Sequence, residues 1–289
     1  MNSKPPNSKK ISHMTGESTF PIWQLDAFTS TSFRGNPAAV VAIDGAWPSD
    51  DLLQAIAAEN NLSETAFFRL AESPVPLRWF TPSVEVPLCG HATLAAVAVM
   101  HRSLGLVRVG AVVELATASG SLYVSVGADD YVLDLPARPI TSTSMPKAEL
   151  ERVLQTNIEE VWESVDRYVC VLEDEGAVSA AKPDLMAVTR LPLAGLIVTA
   201  AGSDCDFVSR YFAPAKGVSE DPVTGTSHCT LAPFWGRRLD KTDLHARQLS
   251  QRGGQVACAV RGDRVHLSGS CKLYLTGSIV VPTAVPGGE

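Results

Sequence analysis

One motif occurs twice in this chain, and the repeat limits the possible folds more than any other feature. The first copy reads Arg78-Trp79-Phe80-Thr81-Pro82, then Glu85-Val86-Pro87-Leu88-Cys89-Gly90-His91. The second reads Arg210-Tyr211-Phe212-Ala213-Pro214, then Glu220-Asp221-Pro222-Val223-Thr224-Gly225-Thr226. Superposing Gly90 on Gly225, 135 positions later, sets Glu85 on Glu220, Pro87 on Pro222, Leu88 on Val223, Cys89 on Thr224 and His91 on Thr226. In each copy an aromatic strand ends at a proline, and an acidic turn delivers a glycine to the start of a helix. The match implies a duplicated unit.

The first four N–H groups of a helix have no internal partner, and its dipole favours negative charge nearby. Two such helix starts facing one another could clamp one carboxylate. The alternative is that Gly90 and Gly225 only permit tight turns. The polar residues beside both glycines favour a site.

A chain of 289 residues has room for one domain per copy. Its 45% hydrophobic and 19% charged content is that of an ordinary soluble protein, and a net charge of −7 without basic–aromatic interleaving argues against nucleic acid. No apolar run reaches the ~18 residues needed to span a bilayer, so no membrane partner is expected. Residues 1–19 are polar, lack the apolar core of a secretory signal, and are expected to be a disordered or added extension outside the fold. The six cysteines form no C-x-x-C pair, which points to neither zinc nor a disulfide framework and makes a reducing, cytoplasmic compartment the expectation.

Strands are predicted at Ile22–Ala27 and Ala39–Ile43, paired across the turn Arg34-Gly35-Asn36-Pro37. Ser49 is expected to cap a helix over Asp50–Asn60, and Glu64 to open a strand ending at Leu70. The stretch Ala92–Met100 has almost no polar face, which places it inside its domain. In the second half the buried helix is expected to begin near Gly225 and end before Gly236. The pattern predicts an α+β fold of two pseudo-symmetric domains, each a curved, mostly antiparallel sheet wrapped around a central apolar helix. The expected boundaries are 20–136 and 137–278, with the tail, about 279–289, free to return to the first domain.

Several side chains could carry chemistry. Glu64 lies between a helix and an apolar strand, where burial would raise its pKa toward the range useful for proton transfer; the alternative is a strand-edge carboxylate in solvent or bonded to a turn. His91, at a positive helix end, should be neutral and either bond a substrate, orient another acid or pack structurally. Asp221 either fixes its turn or faces His91 across the domain interface. Cys89 could be an activated thiolate at a helix start, but the second copy offers Thr224 where a partner thiol would stand, so a buried, inert cysteine is the better reading. No dinucleotide, Walker, zincin or hydrolase motif is present, and neither metal nor cofactor is expected.

The segments Asp26-Ala27-Phe28, Phe33-Arg34-Gly35-Asn36-Pro37-Ala38-Ala39-Val40, Asn61-Leu62-Ser63-Glu64-Thr65-Ala66-Phe67 and both motif copies resemble the PhzF-like, or phenazine-biosynthesis-like, proteins of the diaminopimelate-epimerase-like fold. The resemblance spans most of the chain in the family's order. It implies a cofactor-independent isomerase whose site lies in the cleft between the domains. Carried over, Glu64 is the acid/base, His91 and Asp221 are its polar partners, and Gly90, Gly225 and Thr226 hold a substrate carboxylate, with Asn36 counted among the substrate-binding residues. Where the family usually has Ser after the second glycine, this chain has Thr226 followed by Ser227, and the added methyl narrows the pocket. The expected partners are a small carboxylated, possibly cyclic, metabolite and a second copy of the chain in a homodimer. The rival readings are a thiol-dependent epimerase using Cys89 and a non-catalytic interaction protein that keeps the fold.

Overall fold

Every residue from Gly90 to Ala98 is buried, so the first apolar run forms the centre of its half. The computed structural model describes residues 16–70 and 72–282. The first half comprises β1 (Glu17–Ala27), β2 (Asn36–Ile43), α1 (Asp50–Asn60), β3 (Glu64–Arg69), β4 (Val75–Phe80), β5 (Glu85–Val86), α2 (Gly90–Ala98), β6 (Val112–Thr117), β7 (Gly120–Val126) and β8 (Tyr131–Pro136). The second begins with α3 (Lys147–Leu154), β9 (Glu160–Ser164), β10 (Arg167–Val171), α4 (Glu175–Ala180) and α5 (Leu185–Thr189). It continues with β11 (Gly195–Ala201), β12 (Phe207–Ala213), β13 (Val218–Asp221), α6 (Gly225–Leu239), β14 (Asp243–Gln248), β15 (Gly254–Arg261), β16 (Arg264–Gly269) and β17 (Cys271–Pro282).

The two halves pair their strands alike. From β1 to β4 the pairings are antiparallel, parallel and antiparallel, and β9 to β12 repeat that order. Each sheet then takes a parallel partner, β6 on β4 and β14 on β12, and closes with an antiparallel meander. The antiparallel pair β8–β16 joins the two sheets. The sheets wrap α2 and α6, and the buried apolar side chains of both helices belong to one apolar cluster. The fold is the α+β architecture expected.

Each half also lends its first strand a flank from chain that leaves the other half. β17 follows the second half and lies antiparallel along the whole of β1, from Glu17 opposite Pro282 to Ala27 opposite Cys271. Thr141 follows the first half and makes an isolated antiparallel bridge to Glu163 in β9. Residues 271–278, counted above with the second half, therefore pair with the first, as do 279–282. Residues 17–19, set outside the fold as part of a polar extension, are ordered strand because β17 supplies their ladder partners. Residues 1–15 and 283–289 lie outside the described residues.

Ser49 accepts from the N–H of Leu52 and caps α1. The apolar face of α1 (Leu52, Leu53, Ile56, Ala57) packs on the back of the first sheet. The second long helix departs from expectation, since α6 runs through Gly236 to Leu239 with Pro233 inside it. Proline removes the N–H that would bond the Cys229 carbonyl; that carbonyl instead accepts from the N–H of Arg138, 3.0 Å away in the inter-half connection. Gly236 stays helical because the chain folds back over it, and a Cβ there would lie 2.7 Å from the Lys241 carbonyl. β14 carries little strand signal in the sequence, because its inward residues are Leu244, Ala246 and Gln248. Among the described residues no helix is long and apolar enough to cross a membrane.

Candidate active site

The two duplicated helix starts meet. A Cβ placed on Gly90 would lie 3.8 Å from the Gly225 Cα, so α2 and α6 bring their N-termini together at their two glycines. The first in-helix N–H bonds run from Thr93 to Cys89 and from Ser227 to Thr224. The N–H groups of Gly90, His91, Gly225 and Thr226 have no partner among the described residues. Two converging dipole ends and four N–H groups without partners among the described residues make a site of positive potential.

Beside them, β3 starts with Glu64. Its carboxyl is driven up to about 8, first by burial and then by the charge of Asp221; a hydrogen bond with Cys89 works weakly against both. Glu64 Oε2 stands 3.2 Å from His91 Nε2, off the alignment of a full hydrogen bond, and neither atom has another partner among the described residues. Burial pushes His91 down to about 3, so the imidazole is neutral and the contact is no ion pair. Burial raises Asp221 to about 6 against the pull of hydrogen bonds from Thr224 and Asn36.

Asn36 lies behind this wall instead of on it. Fully buried, it donates from Nδ2 to Asp221 Oδ1 (2.7 Å) and to the Val223 carbonyl (2.8 Å), and the same nitrogen is 3.2 Å from His91 Nδ1. The expected face-to-face meeting of Asp221 and His91 thus runs through Asn36, which is not among the residues lining the cavity. Cys89 Sγ is 3.4 Å from His91 Nδ1. Burial and the nearby Glu64 hold its thiol well above the ordinary range, which is the reverse of an activated thiolate. Glu64, Cys89 and His91 bring one ligand atom each within 4.8 Å of one another. By donor type they could accept a divalent cation, but Cys89 and Glu64 would first have to lose protons that burial favours.

These residues line a cavity of about 430 Å³ with an apolar wall that includes Val84, Leu88 and Val218. A larger cleft of about 640 Å³, bounded by Phe28, Asp204, His245 and Arg247, contains neither glycine pair nor Glu64, and its Asp204 is paired with Arg247. Arg138, Asp166, Arg167, Tyr211 and Lys216 also line the smaller cavity, and of these the sequence motifs contain only Tyr211. Arg167 donates to the hydroxyls of Thr226 (3.2 Å) and Ser227 (3.0 Å), so Thr226 touches the site by its N–H while its side chain faces the guanidinium. No local motif marks Arg138 or Arg167; only the folded register brings them in.

The family model described as phenazine biosynthesis-like protein matches residues 25–283. A Pseudomonas aeruginosa protein named an uncharacterized isomerase is 48% identical over 256 residues, covering 89% of this chain and 97% of that protein. The crystal structure of a PhzF family protein from Enterococcus faecalis superposes with a TM-score of 0.83 at 40% identity, covering 91% of this chain and 99% of the other. A hydroxyproline epimerase from Agrobacterium vitis shares the fold, with a TM-score of 0.58 at 13% identity and coverage of 91% and 93%.

Proposed function

The chain belongs to the phenazine biosynthesis-like protein family, whose relatives include named isomerases, and on that premise we propose that it shifts a proton within a small carboxylated substrate, with Glu64 as the catalytic acid/base. The observation that carries the reading is one carboxyl group, tuned to about 8, on the wall of the cavity where four unpartnered N–H groups converge. A base that titrates near neutral pH can both take and return a proton, a contribution on the order of 10²- to 10⁴-fold in rate.

The substrate carboxylate accepts from the N–H groups of Gly90, His91, Gly225 and Thr226. Ionised Glu64 removes a proton from a carbon next to it, and the electron pair moves toward the carboxylate, where the helix ends oppose the developing charge. Protonated Glu64 then returns the proton to another carbon of the same conjugated system, so no atom is gained or lost. His91, neutral and 3.2 Å away, steadies the carboxyl in either protonation state. Asp221, committed to Asn36 and Thr224, keeps Glu64 basic by its charge. With one mobile proton carrier, departure and return occur on one face of the substrate. The high thiol pKa of Cys89 speaks against a thiolate route.

Solvent-deuterium incorporation into a pool of small carboxylic acids, followed by mass spectrometry, tests this. Label should enter one metabolite with the wild-type protein and not with Glu64→Gln. No labelling with either protein would overturn the isomerase reading in favour of a non-catalytic role.

A further inference from the structure

The cavity also carries cationic charge beyond the two helix ends. Arg138, Arg167 and Lys216 gather there around one anion, Asp166. Arg167 is 2% exposed; its Nε bonds Asp166 (2.8 Å) and its Nη1 bonds Thr226 and Ser227, which leaves Nη2 with no hydrogen bond among the described residues. Arg138 approaches Asp166 no nearer than 3.6 Å, and its guanidinium makes no hydrogen bond among the described residues. Burial and the Arg167 charge both press against its ionisation. Two adjacent, part-desolvated guanidinium groups with spare donors are costly unless an acceptor joins them. Tyr211 backs the group, its ring 4.8 Å from the Arg167 guanidinium carbon.

The strand register shows that the cation is peculiar to the second half. Ala38 pairs with Glu64 in the first half as Arg167 pairs with Gly195 in the second. Asp221, the other acid on this wall, is tied to Asn36 and Thr224, so it does not take up the spare donors.

We propose that the cavity takes a dianionic substrate, with a carboxylate on the N-termini of α2 and α6 and a second acidic group, carboxylate or phosphate, on Arg138, Arg167 and Lys216. This rests on reading the cavity as the substrate site. Arg supplies a planar fork matched to either group, and Lys a point charge at the more open rim.

Calorimetric titration of the full chain with succinate and glutarate, against butyrate and valerate of the same lengths, tests it, with 3-phosphonopropionate as the phosphate-like arm. The dicarboxylates should bind at least roughly tenfold more tightly than their monocarboxylate counterparts, and Arg138→Gln and Lys216→Gln should each remove about that preference while leaving monocarboxylate affinity in place. Lys216 is exposed enough that its variant is a safe companion should Arg138→Gln fold poorly. Tighter phosphonate than succinate binding identifies a phosphate-like second group, and looser binding a carboxylate; both uphold the proposal. Equal mono- and dianion affinity, a preference that survives both variants, or dianion binding weaker than about 10 mM overturns it. Glu64→Gln should keep the preference. Preference intact without solvent exchange in the wild type therefore sinks the isomerase reading alone, and exchange without preference sinks this inference alone.

Discussion

In the first half Arg78 forks onto Glu85 and lies over Phe80, 5.0 Å from the ring centre; in the second, Arg210 forks onto Glu220 and lies 4.9 Å over Phe212. The ladders agree with this match, since Thr65 pairs with Phe80 as Leu196 pairs with Phe212. Glu64 then falls in step with Gly195, where a Cβ would lie 2.5 Å from the Tyr211 hydroxyl, so an acid there would have to displace Tyr211. The same alignment sets Val86 against Asp221 and Ala38 against Arg167. The frame has been kept twice while the strand ends that meet the cavity have diverged, one half bringing the Glu64 carboxyl and the other the Arg167 guanidinium. A two-fold scaffold with one-sided chemistry fits one mobile proton better than the matched pair of bases that an inverting epimerase would use.

The largest effect that would break this comparison is on Glu64. Glu64→Gln should lower turnover by on the order of 10²- to 10⁴-fold, measured as the initial rate of solvent exchange. The same variant also tests the burial that tunes the group. Unfolded, the carboxyl ionises near 4.5; folded, near 8. Below the first value both states are protonated, and between the two only the unfolded chain gives up its proton, so the wild type loses stability as pH rises through that window. Denaturant melts of Glu64→Gln should match the wild type near pH 4 and exceed it by a few kcal/mol, in order of magnitude, near pH 8. A pH-independent difference would mean that Glu64 is not held protonated.

Next in size, the two Arg–Glu forks should differ although they look alike. Arg210 also donates from Nη1 to the carbonyls of Val178, Ser179 and Ala181, tying α4 to the sheet, whereas Arg78 adds only the exposed Asp50. Arg210→Met leaves those carbonyls and Glu220 unpaired and should cost roughly 3 kcal/mol; Arg78→Met should cost about 1 kcal/mol. Equal losses in urea titration would show the halves to be energetically, and not only geometrically, equivalent.

A subtler test concerns the charge beside Glu64. Burial is the main cause of its raised pKa and Asp221 the second. Asp221→Asn should therefore move the Glu64-dependent limb of the exchange-rate profile to lower pH, while leaving it above that of an ordinary carboxylate. An unmoved limb would assign the whole shift to burial.

The duplicated motif made the frame legible because glycine, proline and acidic turn residues are fixed by local backbone needs. His91 and Asp221 stood inside the motif copies, and Glu64 was picked out by its place between a helix and an apolar strand, in the separate segment Asn61–Phe67. Arg138 and Arg167 stayed hidden because their meeting depends on the register of β10 against β11 and on the path of the inter-half connection, which no window of sequence contains. Asn36 was visible as a turn residue, but its place behind His91 is set by contacts with Asp221 and Val223, 185 and 187 positions away.

Pro233 shows how a sound local rule yields to such a contact and gives the smallest expected effect. An interior proline costs a helix about 3 kcal/mol when it strands a carbonyl and clashes with the preceding turn. In α6 the stranded carbonyl, that of Cys229, is answered by the Arg138 N–H at 3.0 Å, so part of the cost is already met by the inter-half connection. The repeat offers no counterpart, since α2 is nine residues long and contains no proline. Pro233→Ala restores an N–H but gives it a carbonyl already in use. The carbonyl has a second lone pair, so the two donors can share it. We expect stability to change by less than about 1 kcal/mol in either direction, read from denaturant melts. A gain near the full 3 kcal/mol would show that Arg138 contributes nothing to the helix and that the inter-half bond is incidental.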